Sequence, residues 1–208
     1  MPSLSVRAFA EMLNLPAYEQ QRILIEQKYP RQEPQAFKIP YYQPALRGLR
    51  AYYNSGNSHS ELTNARSRVR TLKLDSRIQH NLRVINAFAR SRQAQRPLQL
   101  EPQSIITVNA AVNVDLRLKF DLFAQERNSP KRIFYNFRNV PIDPGIARLT
   151  LEVSHWVLDQ NHTPIAFNAL EYVDLESGNT IRVNRIGART IRMIAANAKI
   201  ISTLWPTL

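Results

Sequence analysis

The side chains best equipped for chemistry in this sequence are its arginines. Between residues 47 and 96 stand Arg47, Arg50, Arg66, Arg68, Arg70, Lys73, Arg77, Arg83, Arg90, Arg92 and Arg96, opposed only by Glu61 and Asp75. After Glu176 the chain adds Arg182, Arg185, Arg189, Arg192 and Lys199 without an acid. A guanidinium is a planar fork that holds phosphate oxygens in pairs, whereas an ammonium is a point charge, so an arginine bias favours phosphate recognition over mere solubility. A solvated helix face ordinarily mixes signs to limit self-repulsion, and the first tract does not. The two tracts are expected to merge into one electropositive surface that grips phosphates. Its candidate contacts are Arg47, Arg50, Arg66, Arg70, Lys73, Arg77, Arg182, Arg185, Arg189 and Arg192. Tyr41, Tyr42, Tyr52 and Tyr53 bracket Arg47 and Arg50 and could stack exposed bases. The plainer reading makes them packing residues, each with a solvated hydroxyl.

The whole chain supports a polyanionic partner. Its 208 residues carry 28 Lys and Arg against 16 Asp and Glu, a formal net charge of +12. Nucleic acid is the commonest partner for such a field, although an acidic protein or an anionic membrane would also satisfy it. With 44% hydrophobic and 21% charged residues the chain should fold, as one domain or at most two. Cysteine is absent, which excludes a disulfide scaffold and thiolate zinc. His59, His80, His155 and His162 show no recurring ligand spacing and read as surface or packed residues, so no metal or cofactor is expected. No phosphate-cradling loop or dinucleotide fingerprint occurs among the five glycines, which argues against nucleotide hydrolysis. The start, MPSLSVRAFAEML, lacks the apolar stretch of a leader, and QSIITVNAAVNV is too short to span a bilayer. A cytoplasmic protein without a membrane partner is the expectation. The only acidic concentration is Glu152, Glu171, Asp174 and Glu176, and LEYVDLESG reads as the exposed side of a hairpin.

Several elements must position these residues. LSVRAFAEMLNLP predicts a short helix ending near Pro16, YEQQRILIEQKYP a second ending at Pro30, and residues 31–43 a proline-containing connector. Ser58 and Glu61 have capping-box spacing ahead of a stripe of Leu62, Ala65, Val69 and Leu72. Another helix starts at Asp75 or Ser76 with Ile78, Leu82, Ile85 and Ala89 on one face. The period then switches to two. In DLRLKFDLF, Leu116, Leu118, Phe120 and Leu122 alternate with Asp115, Arg117, Lys119 and Asp121. RIFYNFR places Ile133, Tyr135 and Phe137 on one face and Phe134, Asn136 and Arg138 on the other, with NSPK as the intervening turn. Asp143 is a helix cap before Pro144, a second hairpin turns at ESGN, and a last helix follows Gly187 with Ile191, Ile194, Ala195, Ala198 and Ile201 clustered. This order predicts an α/β fold, a central mixed sheet flanked by helices. It divides into an N-terminal Arg-rich helical region (1–103) and a mixed-sheet region with a basic C-terminal helix (104–208), together one compact domain.

Strand with an acid, turn, strand with a polar pair one residue apart, crossover helix, strand: over residues 104–175 this order resembles the core of the PD-(D/E)XK nuclease superfamily, particularly its RecB-like branch. In that superfamily the strand carboxylates hold magnesium and a neighbouring lysine positions the attacking water. The resemblance puts Asp121 at the strand aspartate, Asn136, Phe137 and Arg138 at the acid, spacer and lysine positions, and Glu61 at a helix glutamate. Asparagine removes a charged ligand, and arginine cannot act as a base but binds phosphate. LTLEVSHWVL also lacks the Gln and Tyr that the branch tends to carry on its next helix. The resemblance thus implies a degenerate nuclease site with Arg138 left as a phosphate contact. Without it, Asp121 with Arg117 and Lys119 is a local ion-pair cluster on a solvated strand face. The leading expectation is a catalytically degenerate nucleic-acid-binding protein. One alternative is a structural or adaptor subunit of a larger nucleoprotein complex. The other is an active magnesium-dependent nuclease using Asp121 with Asp115 or Glu152.

Overall fold

The computed structural model describes residues 2–29 and 41–208, so most of the expected 31–43 connector lies outside the described residues. In chain order the elements are β1 (Ser3–Ser5), α1 (Val6–Met12), α2 (Ala17–Lys28), α3 (Gln43–Asn54), α4 (His59–Arg70), α5 (Asp75–Arg90), β2 (Leu98–Leu100), β3 (Ile106–Ala111), β4 (Val114–Leu118), β5 (Leu122–Glu126), β6 (Ser129–Asn136), α6 (Pro144–Gln160), β7 (Leu170–Asp174), β8 (Thr180–Ile181) and α7 (Ala188–Leu204). The fold is α/β, as expected. A five-stranded mixed sheet runs β2-β5-β6-β7-β8, and a three-stranded sheet runs β1-β4-β3. In the larger sheet only β6 and β7 are parallel, joined by the crossover helix α6; the other pairs are antiparallel.

Alternation along β6 is as read, but both of its faces are buried. Ile133, Tyr135 and Phe137 join Leu122, Ala124 and Val173 in a core under α3, α4 and α5. Phe134 points the other way, with Phe123, Leu170 and Tyr172, into a core shared with α1, α6, α7 and the small sheet. The large sheet therefore separates two helical layers. Gly48 lets α3 approach α4, because a Cβ there would lie 2.5 Å from the Ala65 Cβ. Asp143 caps α6 as expected, accepting from Gly145 N and from Ile146 N at 3.0 Å.

Several expectations need correction. DLRLKFDLF is not one strand: β4 ends at Leu118, and β5 begins at Leu122 in the other sheet. Leu116, Leu118 and Phe120 enter one core and Leu122 the other, a change that period-two alternation cannot register. The β5–β6 turn is Arg127–Asn128 rather than NSPK. Both residues have positive φ, 50° and 64°, the two-residue geometry that matches strand twist. Leu4 and Ser5, read as the start of a helix, belong to a strand, Ser3–Ser5, paired in parallel with Asp115–Arg117. The stretch QSIITVNAAVNV supplies β3, and α3 starts where the connector was expected to end. Ser58 precedes α4 but makes no side-chain cap, its hydroxyl bonding Ser60 Oγ while Glu61 turns to Asn64 and Arg68. On α7, Ile194, Ala198 and Ile201 are buried, whereas Ile191 is 47% exposed and Ala195 is exposed. Glu171 and Asp174 are buried rather than on an exposed hairpin face. Pairing of β1 with β4 and of β2 with β5 crosses the 103/104 boundary.

Candidate functional site

The chain between the two sheets, Lys119–Asp121, turns Asp121 into a half-enclosed cleft of about 340 Å³. Ser5, Val6 and Arg7 of β1 and α1, Gln43, Leu46 and Arg50 of α3, and Ile105, Arg117, Lys119, Phe120 and Phe134 complete its lining. Asp121 is held from three sides. Its Oδ2 accepts from the Tyr135 backbone N–H at 2.8 Å and forms an ion pair with Arg7. Arg50 donates to its backbone oxygen through Nε at 3.3 Å and a terminal nitrogen at 2.8 Å, and the Gln103 amide donates there at 2.7 Å. The Arg7 guanidinium lies over the Phe134 ring, 4.5 Å from its centroid. Burial alone would pull the Arg7 pKa down, but the Asp121 carboxylate outweighs it and holds the group above the ordinary arginine value. Arg50 goes the other way: burial holds its pKa below the ordinary value, with the nearby Arg47 adding repulsion.

Two further cations complete the cleft. Arg117 donates to the Ser3 carbonyl at 3.3 Å, and Lys119 is exposed without a hydrogen-bond or ion-pair partner among the described residues. Four cations therefore face one carboxylate, and that carboxylate is already paired. The expected cluster of Asp121 with Arg117 and Lys119 is replaced by the Asp121–Arg7 pair.

Asn136 and Arg138 do not line the cleft. The buried Asn136 amide donates to Val140 O at 2.8 Å and to Asp174 Oδ1 at 3.2 Å, while its oxygen accepts from Arg138 N at 3.1 Å. It ties the end of β6 to the turn after β7, where Asp174 also accepts from Ile142 N, Glu176 N and Ser177 Oγ. Arg138 is exposed and pairs with Glu11 at 3.3 Å. Helix α1 thus contacts the residue before β5 and the segment after β6, with Arg7 on Asp121 and Glu11 on Arg138. No group of three or more His, Cys, Asp or Glu that could hold a metal occurs among the described residues. Asp115 accepts from the Asn109 amide on β3. The buried Glu152 accepts from Gly187 N at 3.1 Å and from the Thr190 hydroxyl, anchoring the start of α7. Glu61 pairs with Arg68.

The remaining arginines separate into engaged and open ones. Arg96 forks onto Glu126 at 2.8 and 2.7 Å and reaches the fully buried Glu171 at 2.6 Å, which Arg182 also contacts at 3.1 and 2.8 Å. Arg83 binds Glu176 and, at 2.7 Å, Phe137 O; Arg66 donates to Asn86 at 2.9 Å; Arg77 is buried. Arg47, Arg70, Lys73, Arg185, Arg189 and Arg192 are exposed, with no ion pair among the described residues. The two tracts meet at Glu171, which takes Arg96 from the first and Arg182 from the second, but their helices part. α3, α4 and α5 cover one face of the large sheet, and α7 packs in the layer on the other. Tyr52 and Tyr53 are not stacking platforms either: both are buried, donating to Ala94 O and Gln93 O at 2.7 Å.

Sequence reasoning reached Asp121 and Arg50 but missed Arg7, and took Arg117 and Lys119 only as neighbours of the acid. The signal for the latter two was the outward half of the β4 alternation. Arg7 had none, because its partner is 114 residues away. No family model and no curated protein matches this chain.

Proposed function

We propose that this protein binds nucleic acid on a nuclease-like strand layout without metal catalysis, holding backbone phosphate in the cleft beside Asp121. The observation that carries the reading is the Arg7–Asp121 pair. A guanidinium already neutralises the one carboxylate that lines the cleft, and three further cations line the same space. The antiparallel hairpin β5–β6, the crossover α6 and the parallel β7 support the resemblance to the PD-(D/E)XK core, with Asp121 at the mouth of the first of these strands and Asn136 at the end of the second. Asn136 and Arg138 serve the scaffold more than the ligand. Phosphate contacts thus fall to Arg7, Arg50, Arg117 and Lys119, with Arg47 near the rim and the open arginines supplying long-range attraction.

The test is equilibrium binding of labelled oligonucleotides across a salt series. Affinity should fall steeply with ionic strength, and removing Arg117 and Lys119 should lower the log–log slope by about one per cation. Binding that is absent at low salt, or insensitive to salt, contradicts the reading. Incubation with magnesium or manganese should leave plasmid and single strands intact. Cleavage abolished by Asp121→Ala would instead establish a metal nuclease. An adaptor role predicts a protein complex that survives high salt, since apolar interfaces outlast phosphate contacts.

A further inference from the structure

The cationic surfaces of this protein differ in shape. Between α4 and α5, Arg66, Arg83 and Arg90 border a broad open groove of about 680 Å³. The cleft at Asp121 is half that size, and its cations come from separate elements: Arg7 from α1, Arg50 from α3, Arg117 from β4 and Lys119 from the segment after it. They converge on one spot. Its floor holds Phe120 and Phe134, 0% and 1% exposed, and beside it Ile105 leaves an apolar surface 60% exposed.

We propose that this cleft receives a terminal phosphomonoester, taking the phosphorylated end of a nucleic-acid strand rather than a stretch of its interior. The inference rests on the nucleic-acid reading above. Three observations carry it. First, a volume of about 340 Å³ lies at the lower end of pockets that enclose a small molecule. Second, the charge balance selects a monoester. Four cations face one acid already paired with Arg7, and a phosphomonoester carries about −1.5 to −2 near neutral pH, its second pKa being about 6, whereas an internal diester carries a single charge. Third, the cleft is built before the ligand arrives. Arg50 is held on the Asp121 carbonyl by two donors, so it has little side-chain freedom left to lose, while the exposed Arg117 and Lys119 are free to close on the ligand. Ile105 then offers apolar contact to the sugar or base of the last nucleotide.

The experiment is a competition between single strands of one sequence carrying a 5′-phosphate, a 3′-phosphate or no terminal phosphate, and the same sequence closed into a circle. The end-phosphorylated strands, or one of the two, should bind about tenfold more tightly than the unphosphorylated strand and the circle. That preference should shrink as the pH is lowered through about 6, where the monoester gains a proton, and should vanish in Arg117→Ala/Lys119→Ala. Both side chains are exposed, so the double variant should melt like the parent, which thermal unfolding checks. Equal binding of all four ligands overturns the end-receptor and leaves the nucleic-acid reading standing. No binding to any of them at low salt overturns both. A free nucleoside monophosphate that competes as well as an end-phosphorylated strand would also overturn the assignment to a strand end.

Discussion

Asp121 is the residue on which two chemistries compete. As a metal ligand it would need other carboxylates, and what it has instead is Arg7 and the Tyr135 amide. Asp121→Asn should therefore tighten oligonucleotide binding severalfold by releasing Arg7, at a cost of about 1–3 kcal/mol in stability, since the pair is only partly buried. Weaker binding measured by anisotropy would show that Asp121 aids the ligand directly. Glu171 makes a second prediction. Burial would raise its pKa, but Arg96 and Arg182 outweigh that and hold it below the ordinary carboxylate value of 4.5. Its stabilising effect is complete above that value and is lost as pH falls through the lower folded value. Glu171→Gln should thus destabilise the protein at pH 7 by about 3–5 kcal/mol and flatten the acid limb of its stability curve, read by urea titration at several pH values. At this scale the sequence showed which residues could act but not which would meet. Asp121 and Asp143 were legible through local pattern, while the meeting of Arg7 with Asp121 spans 114 residues and that of Arg96 with Glu171 spans 75.

Elements form where local chemistry and tertiary packing agree. Helix α6 was readable from Asp143 and Pro144 alone, and Asp143→Ala should cost about 1 kcal/mol by leaving the Gly145 and Ile146 amides uncapped. Gly48→Ala sets propensity against contact. Alanine favours a helix interior by about 1 kcal/mol. A new Cβ at 2.5 Å from that of Ala65 would force α3 from α4, an overpacking cost of about 1–3 kcal/mol. Net destabilisation is expected by thermal melting, and an unchanged or raised midpoint would show that the two helices can shift freely. The break between β4 and β5 was invisible because alternation records which way a side chain points, not which sheet it joins. The same limit hid β1, three residues whose strand character depends wholly on β4.

For the whole molecule, the +12 net charge is real but is not one surface. Ion pairs such as Arg96 with Glu126 and Glu171, and Arg7 with Asp121, are already balanced within that figure, and the excess cations sit in part on α3–α5 and in part on α7, in layers on opposite faces of the large sheet. Arg189→Ala/Arg192→Ala on α7 should consequently weaken binding uniformly and modestly, without touching any preference for strand ends. Loss of that preference in this variant would place the ligand across α7 instead. The α/β class followed from element order alone, whereas the division of charge could not be read without knowing which face each helix covers.

Helix α1 carries Arg7 and Glu11 to Asp121 and Arg138, made more than a hundred residues later, and β1 has no pairing partner until β4 exists. On a ribosome adding about 5–20 residues per second, the leading segment must wait roughly 5–20 s for its seat to emerge. The cleft at Asp121 consequently cannot be assembled until its last lining residue, Phe134, has been made, and any nascent or truncated chain that stops short of β4 is a basic polypeptide with nowhere to hold its end.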